Sequence, residues 1–361
     1  MQPSPERRLV ILAEGKFGPH DGKTAMGVIR YGRDSVVAVL DSTKAGRSVR
    51  EFLGPGPRFD IPFVATLDEA LALPNRPDAL LIGIAPTGGR LPQEWRDTIL
   101  AAIRSGLDIL SGLHTLLADD PEFAAAARQA GVRIVDFRRP PEREETATGR
   151  RHRAGSHTIL TVGTDCAIGK MSVALELRAA ALEAGLSGVF VATGQTGMVI
   201  EGWGVAVDRV ISDFLNGTCE WLVEQAEALG DWIFVEGQGS LDHPAYSSVT
   251  LGLIHGTTPD AMVLVHKPGL EYHDFDHDPS VRFPIAPLPE TIEIHERVAG
   301  LVRPSKVVAV ALNTSLYPDE GEARRIIAET AALTGLPTDD PVRFGARYLF
   351  EEIRRAVEGR V

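Results

Sequence analysis

TILTVGTDCAIGKMS, residues 158–172, holds an apolar run that stops at Gly163, a turn closed by Gly169-Lys170, and the first residues of a long helical pattern. An apolar strand feeding a glycine-bounded turn and then a helix is the context in which a phosphate-binding loop is expected. The first N–H groups of a helix have no partner one turn back, and the helix dipole adds positive potential there. Together they make an anion site. Lys170 adds a mobile positive charge, and the glycines let the backbone approach phosphate oxygens.

The spacing departs from the common G-x-x-x-x-G-K-[ST] pattern. Five residues intervene between Gly163 and Gly169: Thr164, Asp165, Cys166, Ala167 and Ile168. Met171 stands where a metal-binding hydroxyl is usual, and Ser172 follows it. The expected cofactor-binding stretch is therefore Gly163 to Ser172. Cys166 lies close to a helix N-terminus and Lys170, surroundings that favour a thiolate, but a small loop-filling role accounts for it.

Outward from this loop, the same alternation runs through the chain. Apolar runs at 9–15, 36–42, 79–86, 107–112 and 132–137 predict strands before it, and runs at 188–194, 231–237, 261–266 and 306–313 predict strands after it. Helical patterns lie between most of them, as in WRDTILAAIRSG (95–106) and DEGEARRIIAETAALTG (319–335). Strand–helix alternation with continuously apolar strands predicts parallel sheets covered on both faces. Gly185 and Gly230 are expected to end helices in the left-handed conformation. The Pro-rich, charged stretch RRPPEREETATGRRHRAGSH (138–157) has no apolar periodicity. This predicts a Rossmann-like domain over 1–140, a linker over 141–157 and a second α/β domain of the P-loop NTPase type over 158–361.

Composition narrows the functional classes. With 37 basic and 49 acidic residues the net charge is −12, which opposes general affinity for nucleic acids or anionic membranes. The two cysteines, Cys166 and Cys219, give no disulfide framework. No apolar stretch reaches the length of a membrane span. A cytoplasmic setting is expected.

Polar residues at the ends of predicted strands supply the candidate site. Glu236 follows WIFV and is expected as a catalytic carboxylate or, with Ser172 and Asp213, as a Mg²⁺ ligand. Gln238 and Gly239 continue that edge. Gln195 and Thr196, in TGQTG after another strand, are expected to line the substrate pocket, because ligands of α/β sheets sit at the carboxyl ends of strands. His243, in SLDHPAYS, is a candidate acid or base. The segment HKPGLEYHDFDHD (266–278) has metal-ligating residue types but no fixed helical face, and reads as a solvated acidic loop. In the first domain Gly15, Gly18 and Gly22 do not form G-x-G-x-x-G, so NAD is not expected. The edge at Ala85–Arg90 is a better substrate contact, with Arg90 and Lys267 as carboxylate-binding cations.

GTDCAIGKMS resembles the GTDT-x-x-GKT loop of dethiobiotin synthetase and its P-loop relatives. That resemblance implies an adenine-reading role for Asn313 and a metal-side role for Asp208 or Asp213. Over nearly the whole chain, G-T-D-C-A-x-G-K-M, T-G-Q-T-G, S-D-F, E-G-Q-G-S-L and H-P resemble a bacterial and archaeal family long catalogued as a domain of unknown function. Some of its members are described as D-glutamate N-acetyltransferases. The resemblance implies acetyl transfer from acetyl-CoA to an acidic amino acid, with Lys170, Glu236 and His243 as catalytic groups, in a homo-oligomer. Two alternatives stay open: an ATP- and Mg²⁺-dependent ligase or kinase acting on a small carboxylate, and a nucleotide-gated regulatory protein.

Overall fold

A computed structural model of the chain describes residues 6–18, 21–84, 91–275, 278 and 280–359. Arg90 and the rest of the edge from Ala85 lie outside the described residues. The chain divides into two compact units, Met1–Pro140 with Gln195–Ala206, and Pro141–Gly194 with Val207–Val361.

The first unit is built on β1 (Arg8–Leu12), β2 (Ser35–Leu40), β3 (Phe63–Val64), β4 (Ala79–Ile82), β5 (Asp108–Ser111) and β6 (Ile134–Asp136). All pairings are parallel, in the order β3-β2-β1-β4-β5-β6. This is the order of a Rossmann-type sheet, whose winding switches sides between the first and fourth strands. Leu9, Val10, Ile11, Leu80, Leu81 and Ile82 are wholly buried, as the unbroken apolar runs require of a sheet covered on both faces.

The second unit contains β7 (His157–Gly163), β8 (Gly188–Val191), β9 (Trp232–Val235), β10 (Ala261–His266), β11 (Lys306–Leu312) and β12 (Thr338–Asp339), ordered β12-β11-β10-β7-β9-β8 and again parallel. The connection from β7 to β8 passes to one side and that from β9 to β10 returns across β7. The topological switch, where α/β sheets bind ligands, therefore lies at the carboxyl end of β7.

Several local expectations are revised. Gly185 is left-handed, with φ +79°, but Gly230 is not among the glycines of positive φ. A Cβ on Gly230 would lie 2.7 Å from the Ser187 carbonyl oxygen, so close backbone approach accounts for that glycine. The TGQTG segment contains the start of the helix Gln195–Glu201, whose residues belong to the first unit. The stretch after Pro140 carries no helix or strand before β7. Two carboxylates tether it to the second unit. Glu220 accepts from the Thr148 N–H at 3.0 Å and the Arg150 N–H at 3.1 Å. Glu227 accepts from the Arg153 N–H and pairs with the Arg150 guanidinium, both at 2.7 Å. Burial opposes the charge on Glu227, but these donors outweigh it and hold the carboxyl below its usual range.

The helix Ser247–Thr257 has two glycines, Gly252 and Gly256, and weak intrinsic propensity. Close packing on the helix Ser212–Glu227 explains it. A Cβ on Gly252 would stand 2.3 Å from Leu215, and one on Gly256 2.4 Å from the Asn216 carbonyl oxygen. No helix among the described residues is long and apolar enough to cross a membrane.

Candidate functional site

The site is assembled from the tips of three adjacent strands. Gly163 ends β7 opposite Val265 of β10, and Glu236 follows β9 on the other side. After Gly163 the chain turns through two left-handed residues, Ala167 (φ 53°) and Gly169 (φ 117°), into the helix Lys170–Glu183. A non-glycine residue in this region is strained by roughly 1–2 kcal/mol, so the tertiary setting must impose the shape of the turn. The first bond of the helix runs from the Val173 N–H to the Gly169 carbonyl. The N–H groups of Lys170, Met171 and Ser172 precede it and lack a carbonyl one turn back.

Lys170 is buried, 5% exposed, and its Nζ donates to the backbone carbonyl of Asp165. Its stem crosses two glycines. A Cβ on Gly163 would lie 3.1 Å from Lys170 Cδ, and one on Gly237 would lie 3.2 Å from Cδ and 1.7 Å from the Thr161 carbonyl oxygen. Close approach of backbone thus requires glycine at 237, and a side chain at 163 would press on the lysine stem. Asn313, at the tip of β11, donates from Nδ2 to the Ile168 carbonyl at 2.9 Å and accepts the Ser315 N–H on Oδ1 at 3.2 Å. Both ends of the amide therefore bond to the chain itself, whereas the sequence resemblance gave Asn313 an adenine-reading role.

Glu236 is 6% exposed, and its Oε2 accepts N–H groups from Thr193 at 3.0 Å and Gly194 at 3.1 Å. Burial pushes its carboxyl up to about 7, against the pull of those N–H groups and of Lys170. Gln238 lies alongside, with Nε2 3.3 Å from Thr193 Oγ1. The carbonyl of Gln238 accepts the Thr250 hydroxyl at 2.5 Å, and Gly239 (φ 59°) completes the turn. Lys170, Glu236 and Gln238 are thus neighbours, as expected of one site.

On the other flank the loop carboxylate of Asp165 is fully buried. Its Oδ1 accepts the Cys166 N–H at 2.7 Å and faces His273 Nδ1 at 3.3 Å, and its Oδ2 accepts the Asp274 N–H at 2.9 Å. His243 is also fully buried, with Nε2 3.9 Å from Asp165 Oδ1. Its Nδ1 accepts the Ala245 N–H at 3.0 Å, so the ring proton of neutral His243 sits on Nε2, directed at the Asp274 carbonyl 3.3 Å away. His273 is 3% exposed, which corrects the expectation of a solvated acidic loop over this part of 266–278. The residues at 276, 277 and 279 are not described. His266 Nδ1 lies 2.9 Å from the Thr164 hydroxyl, and burial pushes that imidazole down to about 4.

Asp165, His243 and His273 converge closely enough to suggest a metal cage, their ligand atoms all within 4.8 Å of one another. The hydrogen bonds argue otherwise. A ligating ring nitrogen must be unprotonated and the other nitrogen should donate, but His243 accepts on Nδ1. The expected Mg²⁺ set also fits poorly. Hard cations favour charged oxygens, whereas burial disfavours the charged form of Glu236. Asp213 is exposed in the first turn of its helix, and Ser172 is half-buried on the helix after the loop.

Gln195 and Thr196 fall in the first unit. In the first unit Gln195 Oε1 accepts from Arg138 at 2.8 Å, and the hydroxyls of Thr196 and Thr24 are 2.9 Å apart. Lys267 follows β10, half-buried. The cluster that sequence reasoning missed is Asp165–His273–Asp242. Its signal was present only as polar residues scattered over three loops.

Comparisons with known proteins agree with this architecture. Residues 145–350 match a family model described as a domain of unknown function, DUF1611_C, P-loop domain, and residues 42–140 match its Rossmann-like DUF1611_N counterpart. A D-glutamate N-acetyltransferase of Tritonibacter scottomollicae is 38% identical over 294 residues, covering 80% of this chain and 84% of that protein. A protein of the same name from a Pseudoalteromonas species is 38% identical over 272 residues, covering 73% and 78%. The crystal structure of a DUF1611 family protein from Anabaena variabilis superposes with a TM-score of 0.87 at 41% identity, covering 97% of this chain and 100% of that one. The Rossmann-like unit, the P-loop unit and these matches together establish that the chain belongs to the DUF1611 family.

Proposed function

We propose that this protein is an N-acetyltransferase that moves an acetyl group from acetyl-CoA to the amine of an acidic amino acid such as D-glutamate, with the turn Gly163–Lys170 gripping the donor's diphosphate. One observation carries the phosphate assignment: the left-handed Ala167 and Gly169 lead into an uncapped helix start beside a buried Lys170. The names of the two curated relatives support the reaction.

Binding requires Lys170 Nζ to leave the Asp165 carbonyl for a phosphate oxygen. The pantetheine arm of the donor is comparable to about four residues of extended chain, roughly 14 Å. With the diphosphate on the loop, the thioester therefore lies well beyond Lys170. The substrate ammonium loses a proton, its nitrogen attacks the thioester carbon, the C–S bond breaks, and the departing thiolate takes up a proton. On this geometry Glu236 and His243 work at the phosphate end. Protonated Glu236 avoids repelling the diphosphate and can donate to it.

A second reading is favoured by the same adjacency. A carboxyl near 7 beside the loop lysine is well placed next to a terminal phosphate of ATP, as an ATP-dependent ligase or kinase acting on a small carboxylate requires. The discriminating experiment incubates the full chain with D-glutamate and either acetyl-CoA or ATP. Free thiol released only when the amino acid is present supports acetyl transfer. ADP formed from ATP, without thiol release from acetyl-CoA, rejects it.

A further inference from the structure

We propose that His273 is a positioning residue: a charged imidazolium that bridges Asp242 and Asp165 and so holds the first turn of the phosphate loop in its anion-ready shape. The proposal rests on the reading that the loop binds a phosphate-bearing donor.

The geometry supplies the argument. His273 Nδ1 is hydrogen-bonded to Asp165 Oδ1 at 3.3 Å, whereas Nε2 lies 3.4 Å from Asp242 Oδ2 as a charge contact that lacks hydrogen-bond geometry. A neutral imidazole has one N–H and would turn a lone pair toward one of the two carboxylates. Only the doubly protonated ring turns a proton, and not a lone pair, toward each carboxylate. Asp242 is itself fixed, by the Ser240 hydroxyl on Oδ1 and by the Ala286 N–H 3.4 Å from Oδ2. Asp165 is the hub on the loop side. Its carboxylate gathers the Cys166 and Asp274 N–H groups, and its carbonyl holds Lys170. The charge on His273 thus reaches the loop through Asp165 without His273 contacting the bound phosphate.

The other titratable neighbours leave this charge pattern intact. The His243 ring lies 4.9 Å from that of His273 and is accounted for by its Ala245 and Asp274 contacts. His295, which feels both Asp242 and Lys170, is held down by burial. Phe283 covers His273 at 5.8 Å between ring centroids. Burial works against the His273 charge, but Asp165 and Asp242 outweigh it and raise the ring to about 9. Burial likewise opposes Asp242, yet His273 and Ser240 hold it at about 2. The sign follows. A ring raised from 6.5 to about 9 contributes stability that is full below about 6.5 and is lost progressively as pH rises to about 9.

The test uses the full chain labelled with ¹⁵N-histidine, the His273 resonances being assigned with His273→Gln. Both ring nitrogens should remain protonated at neutral pH and titrate near 9. Acetyl-CoA and ATP binding is measured in parallel by calorimetry from about pH 7 to about pH 10. The wild type should weaken about tenfold as the ring discharges, a loss typical of one charged hydrogen bond. His273→Gln should bind about tenfold more weakly at neutral pH and lack this break. Asp242→Asn should move the break to lower pH, which a merely structural contact would not do. A neutral His273 ring at neutral pH overturns the proposal. So does unchanged affinity in His273→Gln, or tight Zn²⁺ binding that is lost with His273. If the wild type binds neither nucleotide, the phosphate-loop reading fails, while the ring spectra still decide the charge of His273.

Discussion

The tips of the two sheets begin alike and end differently. In both units the first strand runs into a turn and a helix, with carboxylates close by. In the first unit Asp41, at the tip of β2, is closed upon its own surroundings. It accepts the Gly15 N–H at 3.1 Å and the Thr43 hydroxyl at 2.5 Å, and pairs with Lys44 at 2.7 Å. Burial opposes its charge, but these partners hold the carboxyl below its usual range. The carboxylate that could meet a nucleotide ribose in a dinucleotide-binding fold is therefore engaged within the protein. In the second unit the turn is short, two of its residues are left-handed, and its lysine donates to a backbone carbonyl of the turn. A parallel sheet provides the location, and the chemistry of the turn decides what the location does.

Gly237→Ala should break the second tip most severely. Its Cβ would fall 1.7 Å from the Thr161 carbonyl oxygen, against backbone that cannot yield. A loss of about 3 kcal/mol or more in urea unfolding is expected, and wild-type stability would refute the close approach. Lys170→Ala should leave the fold intact and weaken acetyl-CoA or ATP binding about a hundredfold, as loss of a charged contact to phosphate implies. Calorimetry measures this, and unchanged affinity would remove the ligand from the loop.

Glu236→Gln sharpens the electrostatic side of the comparison. A carboxyl raised from 4.5 to about 7 makes the folded state bind more protons than the unfolded state across that window. Wild-type stability should therefore fall between those pH values relative to the variant, by up to about 3 kcal/mol. Parallel stability–pH curves would show that Glu236 is not so perturbed. Asp41→Asn is the counterpart in the first unit. It should cost about 1–2 kcal/mol of stability through weakened hydrogen bonds and leave acetyl-CoA affinity unchanged, and a loss of affinity would give the first tip a role in binding.

Much of the fold was legible along the chain. Long apolar runs marked ten of the strands, because a strand covered on both faces has no polar side to show. Two further strands among the described residues, β3 (Phe63–Val64) and β12 (Thr338–Asp339), are edge strands of two residues each, too short to produce a pattern. The helix Ser247–Thr257 was hidden because Gly252 and Gly256 lower its propensity, and the reason for them lies on another helix. Glu236 and Lys170 were visible as candidates because Glu236 follows a strand and Lys170 opens a helix after a glycine-bounded turn. His273 was not, since an imidazole in an acidic loop looks solvated until its partners are known.

Local chemistry, then, was sufficient for the strand runs, the glycine-bounded turn and the opening of its helix. Each depends on backbone preference and apolar periodicity within a few residues. Tertiary structure alone decided the burial and the polar partners of His273 and Glu236, the floor of Gly163 and Gly237 under Lys170, and the passage of Gln195–Ala206 into the first unit. The reason is physical. Desolvation and hydrogen bonding act between groups that meet in space, and His273 meets Asp165 from 108 positions away.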